Sequence, residues 1–266
     1  MVATPIGNLG DITSRALEVL RGADVVAAED TRNTRGLLNH FGIEAKLVAL
    51  HEHNERRSAA EVSRVISEGG AVALVSDAGT PAVSDPGALL VAAVREQGHR
   101  VIPVPGASAL TAALSASGIV HDGVVFAGFL PVKGAQRKAK LAALAAGPWA
   151  IALFEAPHRI AATLGDLHAA LGDRDVVIAR EITKRFETIT RIPLAQALAW
   201  VEADEDRRRG EFVLVVEGRE PAKEGDPKEV LAALLAELPT KQAVSLAAKI
   251  TGAKRNDLYR MALGMK

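Results

Sequence analysis

No cysteine occurs anywhere in the 266 residues. That absence excludes disulfides, iron–sulfur clusters, cysteine–zinc sites and cysteine nucleophiles, and it suits a reducing, cytoplasmic setting. Aromatic residues are nearly as scarce: six phenylalanines, two tryptophans and one tyrosine. The core must therefore be aliphatic, and a base-stacking sheet of the RNA-recognition kind has little to draw on. Net charge is missing too. The 32 basic residues cancel the 32 acidic ones, which rules out a uniform polycation but leaves room for a local basic patch. Long apolar runs are also lacking. Pro5, Gly7, Asn8 and Asp11 interrupt the N-terminal stretch, so no secretory signal is expected. The most apolar window, 101–120, is broken by Pro103, Pro105, Gly106 and Gly118, and no membrane association is expected.

What is present is a repeated unit. Short β-branched runs at 25–26, 47–48, 72–75 and 101–102 each precede a polar or glycine-bearing turn and a stretch of helical period. Helices are predicted over 13–20, 34–40, 58–68, 86–97 and 107–117, with Thr13 as a cap and Pro86 in a first turn. Continuous Ala, Val and Leu in the strands predict a mostly parallel sheet covered on both faces. Only Val2, Ala3 and Thr4 stand between Met1 and Pro5. The first strand is thus expected either to begin upstream or to supply little more than its last turn.

A second α/β unit is predicted from about 124. Its strands are expected at 124–127, 149–154, 176–179, 187–190 and 212–216, and its helices at 135–146, 158–171 and 194–202. The close spacing of the later strands predicts a mixed sheet. The domains are accordingly placed at 1–120, 121–220 and 226–266, the last a helical tail after a polar linker. The neutral total hides a polarity. Residues 226–266 carry seven basic and four acidic side chains, a net +3, whereas residues 1–120 carry ten and thirteen, a net −3.

Four small-residue loops follow strand ends: Thr4-Pro5-Ile6-Gly7-Asn8, Ser76-Asp77-Ala78-Gly79-Thr80-Pro81, Ser84-Asp85-Pro86-Gly87 and Val104-Pro105-Gly106-Ala107-Ser108. In an open α/β sheet the carboxyl ends of the strands form the ligand crevice, and small residues let backbone approach a ligand closely. Neither GxxxxGK[ST] nor G-x-G-x-x-G occurs, so the loops suit an adenosine ligand without a phosphate tail. The competing reading is that each loop merely turns the chain.

Other constellations are more ambiguous. Asp30-Thr31-Arg32 could hold a substrate hydroxyl and a phosphate, or could be a surface ion-pair cluster of little energetic weight. His51, Glu52 and His53 suggest a metal, but a third ligand is hard to find, and no metal is expected. No G-x-S-x-G elbow supports a serine nucleophile, and capping is the default role for Ser108 at a helix start. Glu155-Ala156-Pro157-His158-Arg159 and Arg180-Glu181-Ile182-Thr183-Lys184 each close a strand. Facing the glycine loops, they would give a cleft with one neutral, backbone-lined wall and one charged wall. In the tail, 241–249 and 254–263 around a turn at 250–253 resemble a helix-turn-helix. Ala243, Leu246, Ala247, Ile250 and Leu258 are its expected inner face, Lys249, Lys254, Arg255 and Arg260 its basic surface, and packing the expected role of Tyr259.

Taken together, the opening 3–13, Ala28 to Arg32, 74–81 with Ser84 to Gly87, 103–107, Glu155 to Arg159, Arg180 to Lys184 and Gly210-Glu211-Phe212 resemble the 16S rRNA cytidine 2′-O-methyltransferases. These are enzymes of the tetrapyrrole-methylase-like group. The resemblance covers essentially the whole chain. It departs at Ala107, where proline is frequent, and at Phe154, where tyrosine is common. It implies a tetrapyrrole methylase-like fold of two α/β domains with a cofactor cleft between them and a small helix-turn-helix-like tail. S-adenosylmethionine would be the cofactor, and the enzyme a homodimer. Its partner would be 16S rRNA in the small ribosomal subunit, methylated at a cytidine ribose of the decoding region. Neither DNA nor a membrane is implied. Pro5, Gly7, Asp77, Ala78, Gly79, Thr80, Pro105 and Gly106 are the implied cofactor positions. Asp30, Arg32, Glu155, His158, Arg159, Glu181 and Lys184 are the implied acceptor-side positions.

Methyl transfer from a sulfonium centre is an in-line displacement whose activated carbon comes with the cofactor. The protein must align oxygen, carbon and sulfur and provide an acceptor for the hydroxyl proton. Glu155, Asp30, His158 and Glu181 are the candidate bases. Lys184, Arg159 and Arg32 are permanent cations better suited to positioning phosphate and ribose. Two rival readings share much of this pattern: a porphyrin-precursor methyltransferase and a non-catalytic RNA-binding assembly factor.

Overall fold

The computed structural model describes residues 1–50, 55–219 and 226–265. His51, Glu52 and His53 lie outside them, as does Lys266. The chain forms two compact units, Met1–Leu144 with Trp149–Glu217, and Ala145–Pro148 with Gly218–Lys266. Both sheets belong to the first unit.

The first sheet is parallel and three-stranded, in the order β2-β1-β3. Its strands are β1 (Val25–Ala28), β2 (Leu47–Ala49) and β3 (Val72–Val75). Each alternates with a helix: α1 (Ser14–Gly22), α2 (Thr31–His40), α3 (Glu55–Ser67) and α4 (Ala88–Glu96). Thr13 caps α1 as expected, its hydroxyl accepting from the Ala16 N–H at 3.1 Å. Helix α2 begins three residues earlier than periodicity suggested, because Asp30 caps it by accepting from the Arg32 N–H. β1 is buried at all four positions, as a strand covered on both faces requires.

The strand expected at 101–102 does not form. The chain there makes only an isolated bridge, Val104 with Val2, and residues 2–4 add a second, Thr4 with Gly79. The amide of Val2 donates to Leu74 O and that of Ala3 to Val104 O, so this short segment is stitched between β3 and the 101–104 stretch. Pro5, which has no N–H to donate, ends the pairing on this side.

After α5 (Ala109–Ala116), the second sheet is mixed and five-stranded, in the order β4-β5-β8-β6-β7. Its strands are β4 (Val124–Phe129), β5 (Ala150–Glu155), β6 (Asp175–Arg180), β7 (Thr188–Pro193) and β8 (Phe212–Val216). β4 and β5 are parallel and the remaining pairs antiparallel. The central β8 is buried throughout. Helices α6 (Gly134–Ala145), α7 (Ile160–Leu171) and α8 (Leu194–Glu202) accompany it.

The shorter unit holds α9 (Pro227–Glu237), α10 (Thr240–Thr251) and α11 (Arg255–Gly264). Gly252 ends α10 in the left-handed region, φ 69°, where a side chain would be strained. Leu231, Ala243, Val244, Ala247, Leu258 and Ala262 form its core. Two expected core residues are not in it. Leu246 and Ile250 are exposed on α10, and Tyr259 is also exposed rather than packed. Val244, on the adjacent face, takes the inward position.

Candidate active site

A cleft of about 390 Å³ opens in the larger unit. One wall is small and mostly neutral: Ile6, Ala78, Gly79, Thr80, Ser108 and Ala109. Backbone holds it together. Thr4 N–H donates to Gly79 O at 2.9 Å, and Gly79 N–H returns a bond to Thr4 O at 3.0 Å. The Thr80 hydroxyl donates to Ala107 O at 3.2 Å. Gly79 has φ 79°, and a Cβ there would stand 3.3 Å from Ile6 Cγ2. Bulk at this position is opposed by both conformation and space.

The facing wall comes from the second sheet. Phe129 and Phe154 contribute aromatic surface, their rings 5.7 Å apart in an edge arrangement. Lys184 and Glu211 contribute charge. Lys184 Nζ donates to Glu181 Oε1 at 2.9 Å and to Glu211 Oε2 at 2.7 Å. Burial would lower the Lys184 pKa, but these two carboxylates outweigh it and hold it above the ordinary lysine range. Burial likewise pushes Glu181 up, and the Lys184 ammonium and the Glu211 N–H pull it below its usual value. Glu181 and Thr183 both have positive φ, 52° and 67°. Such residues persist only where their surroundings over-determine them.

A third feature is acidic. Glu29, Asp77 and Asp85 all line the cleft. Asp77 accepts the Asp30 N–H at 3.0 Å and the Asn33 side-chain amide at 2.9 Å. Its own N–H donates to Glu29 at 3.3 Å. Burial raises the Asp85 carboxyl to about 6, the Ser76 hydroxyl opposing and the charges of Glu29 and Asp77 adding to the shift. Among the described residues no group of three or more potential ligands could hold a metal ion.

Comparison with other proteins places this geometry. Residues 1–198 match the Tetrapyrrole (Corrin/Porphyrin) Methylases, and residues 221–266 match the RsmI C-terminal HTH domain. The chain is 51% identical to the ribosomal RNA small subunit methyltransferase I of Escherichia coli O157:H7, over 99% of this chain and 93% of that protein. It is 50% identical to the protein of that description from Pseudomonas aeruginosa, over 99% and 95%. The chain belongs to the ribosomal RNA small subunit methyltransferase I family. Among solved structures, a cobalt precorrin-4 methyltransferase superposes with a TM-score of 0.59 at 21% identity, over 80% of this chain and 92% of that one. A Thermus thermophilus uroporphyrin-III C-methyltransferase complexed with S-adenosylhomocysteine gives 0.57 at 19%, over 81% and 95%. These two establish the fold: tetrapyrrole-methylase-like, with a helical tail.

Within this family member the residues singled out from sequence are distributed unevenly. Asp77, Ala78, Gly79, Thr80, Glu155 and Lys184 line one cleft. Pro5, Gly7, Pro105 and Gly106 do not line it. A Cβ on Gly7 would fall 2.4 Å from Lys184 Cγ, and one on Gly106 would fall 3.0 Å from Ala3 Cβ. These two glycines therefore permit close packing behind the walls rather than forming them.

Several expected bases have other occupations. The Glu155 side chain is fully buried, accepting from the Thr163 hydroxyl at 2.6 Å and the Ala156 N–H at 2.8 Å and facing Arg159 Nε at 3.1 Å. Arg159 in turn donates to Leu130 O, so neither partner is available to RNA. In this structure the pair acts as an internal anchor, although Glu155 belongs to the cleft lining. Asp30 is consumed by its capping role and by Arg32, whose hydrogen bonds lower its carboxyl to about 2. Neither Asp30 nor Arg32 lines the cleft, and the Arg32 side chain is largely exposed. His158 is exposed and lies off the cleft as well. Ser108 makes no capping bond and faces the cleft instead.

Sequence reasoning missed Glu29, Asp85 and Glu211 as cleft residues. Each stood beside a motif already noticed, and the signal available was a carboxylate at a strand end or inside a glycine loop.

Two outcomes follow from these contacts. Gly79→Leu should abolish S-adenosylmethionine binding in isothermal titration, with the thermal midpoint only modestly lowered. Glu155→Gln should cost about 3 kcal/mol of stability in urea unfolding, as expected for a broken buried ion pair, while donor affinity in the folded fraction stays unchanged.

Proposed function

We propose that this protein transfers the methyl group of S-adenosylmethionine to the ribose 2′-hydroxyl of a cytidine in the decoding region of 16S rRNA. The observation that carries this reading is kinship across the whole chain, tail included, joined to a cleft whose two walls differ in chemistry. The cleft also suits the donor. Its small wall would be crowded by a Cβ at Gly79, and Glu29 and Asp77 complement a cationic ligand. When bound, S-adenosylmethionine supplies an activated methyl carbon and a neutral leaving group.

The chain's own residues do the rest. Asp77 to Thr80 bind and orient the donor, with Pro5, Gly7, Pro105 and Gly106 supporting the loops from behind. Phe129 and Phe154 exclude water from the opposite side. Lys184, fixed between two carboxylates, stays cationic at neutral pH and positions phosphate or ribose oxygen rather than accepting a proton. Glu181 holds Lys184 in place.

In the tail Lys249, Lys254, Arg255 and Arg260 are exposed, although Arg260 pairs with Asp257. They supply the sequence-independent contact with phosphates that positions the ribosomal substrate. Function as a homodimer in the cytoplasm fits the apolar side chains left on the larger unit's surface, Leu89, Val132 and Phe186 among them. Light scattering should return twice the chain mass. Among the described residues no helix is long and apolar enough to cross a membrane.

The deciding experiment is mass mapping of methylated nucleotides in 16S rRNA from cells with and without the protein. Loss of a cytidine ribose methyl group on deletion is the expected result, and an unchanged map would refute the assignment. Lys249→Glu, Lys254→Glu and Arg255→Glu together should weaken RNA affinity at least ~10-fold and flatten its salt dependence by about two ion equivalents. Affinity for S-adenosylmethionine should not change.

A further inference from the structure

Among the described residues, every carboxylate near the cleft can be accounted for except one. Asp30 caps α2 and pairs with Arg32. Both Asp77 oxygens accept hydrogen bonds from the start of α2. Glu155 is sealed against Thr163 and Arg159, and Glu181 and Glu211 share Lys184. Glu29 accepts from the Asp77 N–H. Asp85 lines the same cleft, half-buried, with only the Ser76 hydroxyl identified as a hydrogen-bond partner and no paired cation among the described residues.

The turn that carries Asp85 is built at a cost. Ala82 and Ser84 both lie in the left-handed region, φ 67° and 66°, each on the order of 1 kcal/mol above an ordinary conformation. Gly128 makes room for this turn: β4 shifts register between Phe126 and Phe129, and a Cβ at Gly128 would stand 3.0 Å from Ser84 Oγ. An insertion in one sheet thus accommodates a strained loop of the other, and the loop sets a carboxylate into the cleft.

We infer that Asp85 is the general base that accepts the 2′-hydroxyl proton during methyl transfer. The inference rests on the ribose reading above. The ribose oxygen forms the new O–C bond as the methyl–sulfur bond breaks, with that bond's electron pair remaining on sulfur. The proton passes to an Asp85 oxygen and from there to water. A carboxyl whose pKa lies near 6 is a far better proton acceptor at neutral pH than one near 2, yet remains largely ionised there. The charged groups sharing the cleft with it are Glu29 from the end of β1, Asp77 from the end of β3, and Glu155, Lys184 and Glu211 from the second sheet. Those acting most on Asp85 are Glu29 and Asp77, and both favour its protonated form.

The test combines a titration with kinetics. Carbon-13 NMR of the full-length protein should show the Asp85 carboxyl titrating near 6, and a midpoint below about 4.5 would overturn the assignment. With 30S subunits as substrate, wild-type kcat should rise about tenfold per pH unit below 6 and then level. Asp85→Asn should lower kcat at least ~100-fold and remove that inflection, with S-adenosylhomocysteine affinity held within about threefold. Retention of the inflection, or affinity and rate falling together, would show a base elsewhere or a donor-binding role and overturn the proposal. Should the variant fail to fold, a flat wild-type profile between about pH 5 and 7 would overturn it equally. A wild-type protein inactive on 30S subunits would instead count against the substrate reading.

Discussion

Two hydrogen bonds between Thr4 and Gly79 hold the small-residue wall of the cleft together. They join the first loop of the chain to the loop after β3 without using any side chain, so the surface they create can be lined with almost nothing but backbone and methyl groups. Ile6 then lies on the wall, and Gly7 beside it leaves space that Lys184 occupies from the second sheet. A side chain at Gly7 would push against Lys184, and one at Gly79 would crowd Ile6. The cleft is therefore a consequence of close backbone approach, and its shape depends on residues that carry no chemistry.

The charged side chains divide into anchors and agents. A carboxylate with three donors around it, such as Glu155, is energetically committed to structure. Its charge is balanced, and moving it would leave the Arg159 guanidinium without its counter-charge. Lys184 is also tightly held, but its ammonium lies on the cleft wall, where a fixed positive charge can meet a ligand. Burial with no compensating cation among the described side chains distinguishes Asp85 from both. The same desolvation that makes an unpaired carboxylate costly raises its basicity.

The tail follows a separate logic. Its core is six small or aliphatic residues, and Lys249, Lys254 and Arg255 stay in solvent. Leu246, Ile250 and Tyr259 are left exposed on the same helices.

Much was legible in the sequence because it is local. Alternating strand and helix periods, Thr13 as a cap, the stop at Gly252 and the mixed second sheet all arise from interactions within a few residues or from burial on both faces. The loops at strand ends likewise marked the crevice before any coordinates did. Folding decided the setting of Asp85, whose neighbour Glu29 is distant in sequence, whereas Arg32, Arg159 and Lys184 are local partners of Asp30, Glu155 and Glu181. Asp30, Asp85, Glu155 and Glu181 share one functional group and all stand near strand ends or loops. Their different fates are set by Arg32, by burial beside Glu29 and Asp77, by Thr163 with Arg159, and by Lys184. Where those partners lie far apart along the chain, only folding brings them within hydrogen-bonding range, and a proton's affinity for a carboxylate is fixed by neighbours at that distance.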